Sequence, residues 1–118
     1  MKKVLIVEDE ESNLEALCDF IEINGYNVKG VNNAADARLE MLSFKPDVVI
    51  LDIELQDKQD GMKLLKEFNS EFPKVKILMS SAYENFELEC LNNGVAGFLK
   101  KPYGITTVVE AIKECVNG

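Results

Sequence analysis

Four-residue to five-residue apolar runs alternate along the chain with stretches of helical periodicity, and this alternation sets the architecture. Strands are expected over Lys3 to Val7, Asn27 to Val31, Val48 to Asp52, Val75 to Met79 and Val95 to Leu99. The third of these, Val48-Val49-Ile50-Leu51, is uninterrupted, as expected of a strand covered on both faces. Between the runs lie amphipathic segments. The first helix places Leu14, Leu17, Cys18 and Ile21 at spacing i, i+3, i+4, i+7, with Gly25 as its stop. A second is expected around Ala34 to Leu42, capped by Asn33, with Asp36 near its positive end and Lys45-Pro46 as its break. A third runs from about Gly61 to Phe72, before Pro73. The fourth, around Glu84 to Asn92, is expected to be short or mobile, because Phe86, Leu88 and Leu91 form no clean stripe. The last carries Ile105, Val108, Val109, Ile112 and Val116 on one face and stops at Asn117-Gly118. Five βα pairs of this kind predict an α/β fold, a parallel sheet wrapped by helices on both faces.

In such a sheet the functional crevice lies at the carboxyl ends of the strands. The first strand delivers Glu8-Asp9-Glu10 to that edge, the third ends in Asp52, the fourth in Ser80-Ser81-Ala82, and the fifth in Lys100-Lys101-Pro102. Three crowded carboxylates, Glu8, Asp9 and Asp52, repel one another unless a cation lies between them. An all-oxygen donor set suits Mg²⁺, or Mn²⁺, better than zinc. Three carboxylates, the Lys101 ammonium and a divalent cation sum to zero formal charge, so an incoming phosphoryl dianion is no longer repelled. A carboxylate can itself attack phosphorus, and Asp52, central in the constellation, is the candidate nucleophile. Lys101 would stabilise charge on the transferring oxygens, Ser81 would donate a hydrogen bond to one of them, and the small Ala82 would leave the entrance open. Taken singly, each residue is equally compatible with a solvated strand end or an ordinary turn. Specificity lies in four such segments, each following a strand.

Composition narrows the picture. The 118 residues form one domain, residues 1–118, since single cores usually occupy roughly 100 to 150 residues. A hydrophobic share of 47% and a charged share of 29% describe a globular protein. A net charge of -8 disfavours binding to nucleic acid or to an anionic membrane. The apolar run before Glu8 is too short for a signal peptide or a membrane span, which points to the cytoplasm. Histidine is absent, which removes Ser-His and Cys-His catalysis and any phosphohistidine on this chain. Cys18, Cys90 and Cys115 lack metal-like spacing and read as packing residues.

The segments Val4 to Glu10, Val48 to Asp52, Asp60-Gly61, Ser81-Ala82-Tyr83 and Gly94 through Lys101-Pro102 closely resemble the receiver domain of bacterial response regulators, over nearly the whole chain. The resemblance implies a doubly wound, flavodoxin-like sheet of five strands in order 2-1-3-4-5 with five helices. It implies that Asp52 accepts a phosphoryl group from a sensor histidine kinase or a histidine phosphotransfer protein. It further implies that Asp9 and Asp52 bind Mg²⁺ directly, Glu8 through water and Glu54 through its main-chain carbonyl. The peptide between Lys101 and Pro102 would be cis. Ser81 and Phe98 would form a switch pair that biases the surface of the fourth helix, fifth strand and fifth helix, where an output domain or downstream protein binds. Such a domain is a phosphoacceptor, not an enzyme beyond its own phosphorylation and dephosphorylation.

Glu54 and Tyr83 lie two residues beyond Asp52 and Ser81, and both are expected to overhang an aspartyl phosphate and lengthen its life. Three departures from the family pattern stand out: Gln56 replaces the usual proline in a loop, Ile53 to Gly61, that is one residue longer than usual, the stretch from Ser81 to Phe98 is about two residues short, and Gly104 replaces an acidic helix cap. Two other readings stay open. One is a pseudo-receiver that binds partners without taking phosphate, against which Asp9, Asp52, Ser81 and Lys101 speak. The other is a haloacid dehalogenase-type phosphohydrolase, suggested by Asp52-Ile53-Glu54, although that family wants an aspartate at Glu54. The chain is either a stand-alone receiver or part of a longer regulator.

Overall fold

A computed structural model of the chain describes residues 2–55 and 60–117. Five parallel strands, β1 (Lys3–Val7), β2 (Asn27–Val31), β3 (Val48–Asp52), β4 (Lys76–Ser81) and β5 (Gly97–Lys100), form one sheet in the order β2-β1-β3-β4-β5. Helices α1 (Glu11–Ile23), α2 (Ala34–Ser43), α3 (Asp60–Glu71), α4 (Glu87–Asn92) and α5 (Ile105–Asn117) connect and follow the strands. The expected doubly wound fold is thus present.

Strand alternation divides the core in two. Leu5, Val7, Val49, Leu51, Ile77 and Met79 face one layer with Ala37 and Met41 of α2, Leu64, Leu65 and Phe68 of α3, and Cys90 of α4. Val4, Ile6, Val48, Ile50, Leu78 and Leu99 face the other, packed by Leu17 and Ile21 of α1 and Val108 and Ile112 of α5. Every residue of β3 is buried, which explains why its sequence is a run and not an alternation. The three cysteines are free and pack in these layers, Cys90 with its sulfur 3.7 Å from that of Met62.

Local rules fix the helix ends. Asn33 caps α2 by accepting from the Asp36 N–H at 2.8 Å, and its own amide donates to the Asp36 carboxylate at 2.9 Å. Gly25 closes α1 at φ 96°, a conformation that suits glycine. Glu10, grouped above with the strand-end acids, instead caps α1 by accepting from Asn13 N–H.

Two strands begin and end later than expected. Val75 is held in a turn by its N–H to Phe72 carbonyl, so β4 starts at Lys76 and runs through Ser80 and Ser81, both buried and paired with β5. Val95 likewise donates to Cys90 at the end of α4, and β5 starts at Gly97. The fourth helix is six residues long after one 3-10 turn, Glu84–Phe86, and is short as anticipated. Gln56 lies outside the described residues.

Candidate functional site

The ends of β1, β3, β4 and β5 lie together at one edge of the sheet, and backbone bonds continue the ladder just past β1, β3 and β5. Glu8 N–H donates to Val31 carbonyl at 3.0 Å, Ile53 N–H to Ser80 carbonyl at 2.9 Å, and Lys101 N–H to Ser81 carbonyl at 2.7 Å. Each chemistry-bearing residue therefore leaves a strand at a backbone position already fixed by its neighbour. Gly61, at the start of α3, sits so close to the end of β3 that a Cβ there would fall 2.5 Å from Ile53 Cα and also against the Asp52 carbonyl. Only glycine lets α3 pack on this bend.

The centre of the site is an ion-paired triad. The Lys101 ammonium donates to Glu8 Oε1 and to Asp52 Oδ2, both at 2.9 Å. The Glu8 and Asp52 side chains are 4% and 2% exposed, and that of Lys101 is 23% exposed. Asp52 Oδ1 accepts from the Glu54 N–H at 3.0 Å, and Glu8 Oε2 from the Glu10 N–H at 3.1 Å. Each buried carboxylate thus has one oxygen on Lys101 and the other on a backbone donor, which repays its desolvation. Burial pushes the Glu8 carboxyl up to about 7; the Lys101 hydrogen bond opposes this rise and the Asp52 charge adds to it. For Lys101, burial favours the neutral form, but the hydrogen bonds to Asp52 and Glu8 more than offset it and keep the ammonium protonated. The Lys101–Pro102 peptide is cis.

Asp9 is exposed and completes a set of acids. Glu8, Asp9 and Asp52 each offer a carboxylate oxygen, all within 4.8 Å of one another. The donors are all oxygen, two buried and one open to solvent, and this set fits a hard divalent cation that keeps part of its water shell.

Ser81 lies on the β4 side of the same edge and is fully buried. Its hydroxyl donates to Glu54 Oε2 at 2.7 Å and accepts from the Tyr83 N–H at 2.9 Å, while the Ala82 N–H donates to Glu54 Oε1 at 2.8 Å. The Glu54 carboxylate therefore lies across the end of β4. Sequence reasoning placed Glu54 near Asp52 but missed this contact with Ser81. The two residues are 27 positions apart, and no spacing rule reaches that far. Tyr83 is 46% exposed, and Phe98 is half-buried against the core layer beneath α2, α3 and α4.

A strand-end acid pair bridged by a lysine from the fifth strand, beside a buried serine on the fourth, invites comparison with known proteins. The family model described as the response regulator receiver domain matches residues 4–113. The chain belongs to the response regulator receiver domain family. Among curated relatives of this receiver, the transcriptional regulatory protein KdpE of Staphylococcus aureus is 31% identical over 94% of the chain, and the chain spans 48% of KdpE. The chemotaxis protein CheY of Thermotoga maritima is 33% identical, with 96% of each chain aligned. A solved CheY-like receiver domain protein from Methanospirillum hungatei superposes with a TM-score of 0.91 at 25% identity, covering 99% of this chain and 94% of that one. The receiver therefore spans about half of one curated relative and nearly all of another. Among its described residues, no helix is long and apolar enough to cross a membrane.

Proposed function

We propose that residues 1–118 act as one phosphoacceptor domain of a two-component pathway in the cytoplasm, with Asp52 as the residue that takes the phosphoryl group. The reading is carried by the Lys101 ammonium lying 2.9 Å from both Glu8 and Asp52 at the meeting of the strand ends. The donor is the phosphohistidine of a sensor kinase or of a histidine phosphotransfer protein. An Asp52 carboxylate oxygen attacks phosphorus, the new O–P bond forms, the P–N bond breaks, and its electron pair returns to the imidazole nitrogen.

Asp9 and Asp52, with Glu8 through water and the Glu54 main-chain carbonyl, would hold Mg²⁺ or Mn²⁺, which supplies positive charge to the oxygens of the transferring group. Lys101 holds Asp52 oriented before transfer. Once the Asp52 charge is spread over the phosphoryl group, the Lys101 ammonium, 2.9 Å from Asp52 Oδ2, is placed to reach those oxygens. Ser81, already at the end of β4, donates its hydroxyl to the same group. Its movement and that of Phe98 bias the face of α4, β5 and α5, where an output domain or a downstream protein docks. Beyond its own phosphorylation and loss of phosphate, the domain turns over no substrate. Tyr83 overhangs the acyl phosphate and slows its hydrolysis, so Tyr83→Ala is expected to shorten its half-life.

Incubation with Mg²⁺ and acetyl phosphate, followed by intact mass beside Asp52→Ala, tests the proposal. Expected is the gain of one phosphoryl group by wild type alone, removed by hydroxylamine. Equal gain by Asp52→Ala would overturn it.

A further inference from the structure

The Glu54 carboxylate occupies donors that a phosphoryl group on Asp52 would need. Its two oxygens take the Ser81 hydroxyl at 2.7 Å and the Ala82 N–H at 2.8 Å, two successive donors at the end of β4. The Tyr83 N–H donates to Ser81 Oγ at 2.9 Å, which leaves the serine's own proton directed at Glu54. At its other end Glu54 is tied to the acceptor, because its N–H donates to Asp52 Oδ1 at 3.0 Å. The side chain therefore bridges from the end of β3 to the end of β4.

We propose that Glu54 is a built-in competitor of the phosphoryl group, a carboxylate that holds the Ser81 hydroxyl and Ala82 N–H and must leave them before an anion on Asp52 can take its place. The proposal rests on Asp52 as phosphoacceptor and adds a regulator of that same site. A carboxylate and a phosphoryl group present the same face to these donors, anionic oxygens that accept hydrogen bonds, so both cannot be served at once. Charge acts in the same direction. Glu54 adds a fourth carboxylate to Glu8, Asp9 and Asp52, while Lys101 is engaged by Glu8 and Asp52. An incoming phosphodonor meets this extra negative charge until the side chain swings out. Glu54 is partly exposed, so it has solvent to swing into. Because one anion replaces another, the Ala82 N–H keeps a charged acceptor before and after transfer.

The test compares wild type, Glu54→Ala and Glu54→Gln for the rate of phosphoryl uptake from acetyl phosphate with Mg²⁺, and follows the Ala82 amide proton by NMR. Breaking a charge-assisted hydrogen bond in the opening step predicts uptake about three- to tenfold faster in Glu54→Ala. Glu54→Gln should fall between, since its amide oxygen still accepts one bond without the charge. In the unphosphorylated state the Ala82 amide proton should move upfield in Glu54→Ala. Phosphorylation should then return it downfield, while in wild type it shifts little. Uptake on Asp52 at an equal or slower rate in Glu54→Ala, or an Ala82 amide unmoved by that substitution, would overturn the competitor and leave Asp52 as acceptor. Failure of all three chains to take up phosphoryl would overturn Asp52 as acceptor and the competitor with it.

Discussion

The two halves of the site are built differently. On one side Glu8, Asp52 and Lys101 stand at the ends of the central strands and of β5, nearly buried, each carboxylate oxygen already hydrogen-bonded. On the other side Ser81 is buried but leads at once into exposed Ala82, a Tyr83 that is 46% exposed, and a six-residue α4 of which only Cys90 is buried. Leu88 and Leu91 of that helix are 70% and 48% exposed. The first half is held by burial and charge, and the second by a few hydrogen bonds, among them the Asn69 side chain on the Asn93 carbonyl and the Glu54 bridge. Segments with little buried apolar area open at low free energy. The receiver thus keeps its reactive groups in place while the neighbouring segment stays able to rearrange.

The largest test of this contrast is Lys101→Met. It leaves the buried Glu8 and Asp52 charges without their cation and should cost about 3 kcal/mol of unfolding free energy in metal-free buffer. Phosphoryl uptake should slow by about a hundredfold or more. Urea unfolding with and without Mg²⁺ checks the first figure, and added Mg²⁺ should restore part of the loss. A stability equal to wild type in metal-free buffer would show that the two halves do not differ in the way described.

A second test uses pH. The folded Glu8 carboxyl holds its proton up to about 7, against an ordinary value of 4.5, so between those values the folded chain binds more protons than the unfolded one. This contribution to stability is fully present below about pH 4.5 and is lost as the pH rises through 7. Metal-free stability should fall across that window, and Glu8→Gln should flatten the fall. Mg²⁺ should flatten it too, by favouring the ionised carboxylate. Thermal unfolding at successive pH values provides the measurement.

The smallest expected effect comes from the other half. Ser81→Ala removes the hydroxyl shared by Glu54 and the Tyr83 N–H and should cost about 1 kcal/mol. If it cost as much as Lys101→Met, the β4 side would be as firmly built as the β1–β3 side.

Legibility in the sequence follows the same division. Strand β1 ends with its apolar run and β3 one residue later, at Asp52, and the acids there could be read directly as a cluster. At β4 the run gives way to two serines, which look like a turn but are buried strand residues because β5 pairs with them. Val95 looks like the start of β5, yet the end of α4 claims its N–H. Glu10 was indistinguishable from its acidic neighbours until α1 used it as a cap. Ser81 and Lys101 could be assigned to one edge because each comes at the carboxyl end of a strand in a parallel sheet, but the Glu54 bridge depends on how one side chain folds back across two strand ends. The order 2-1-3-4-5 itself came from family resemblance, and periodicity alone did not yield it.

The central assignment is chemical, and one chemical trap addresses it. Borohydride reduces an aspartyl phosphate to homoserine, so the receiver is treated with Mg²⁺ and acetyl phosphate, reduced, digested and mapped by peptide mass. Homoserine at position 52, dependent on the phosphodonor, is the expected result. Homoserine at another acid, or uptake of phosphoryl that leaves Asp52 intact, would contradict the assignment of Asp52 as the acceptor.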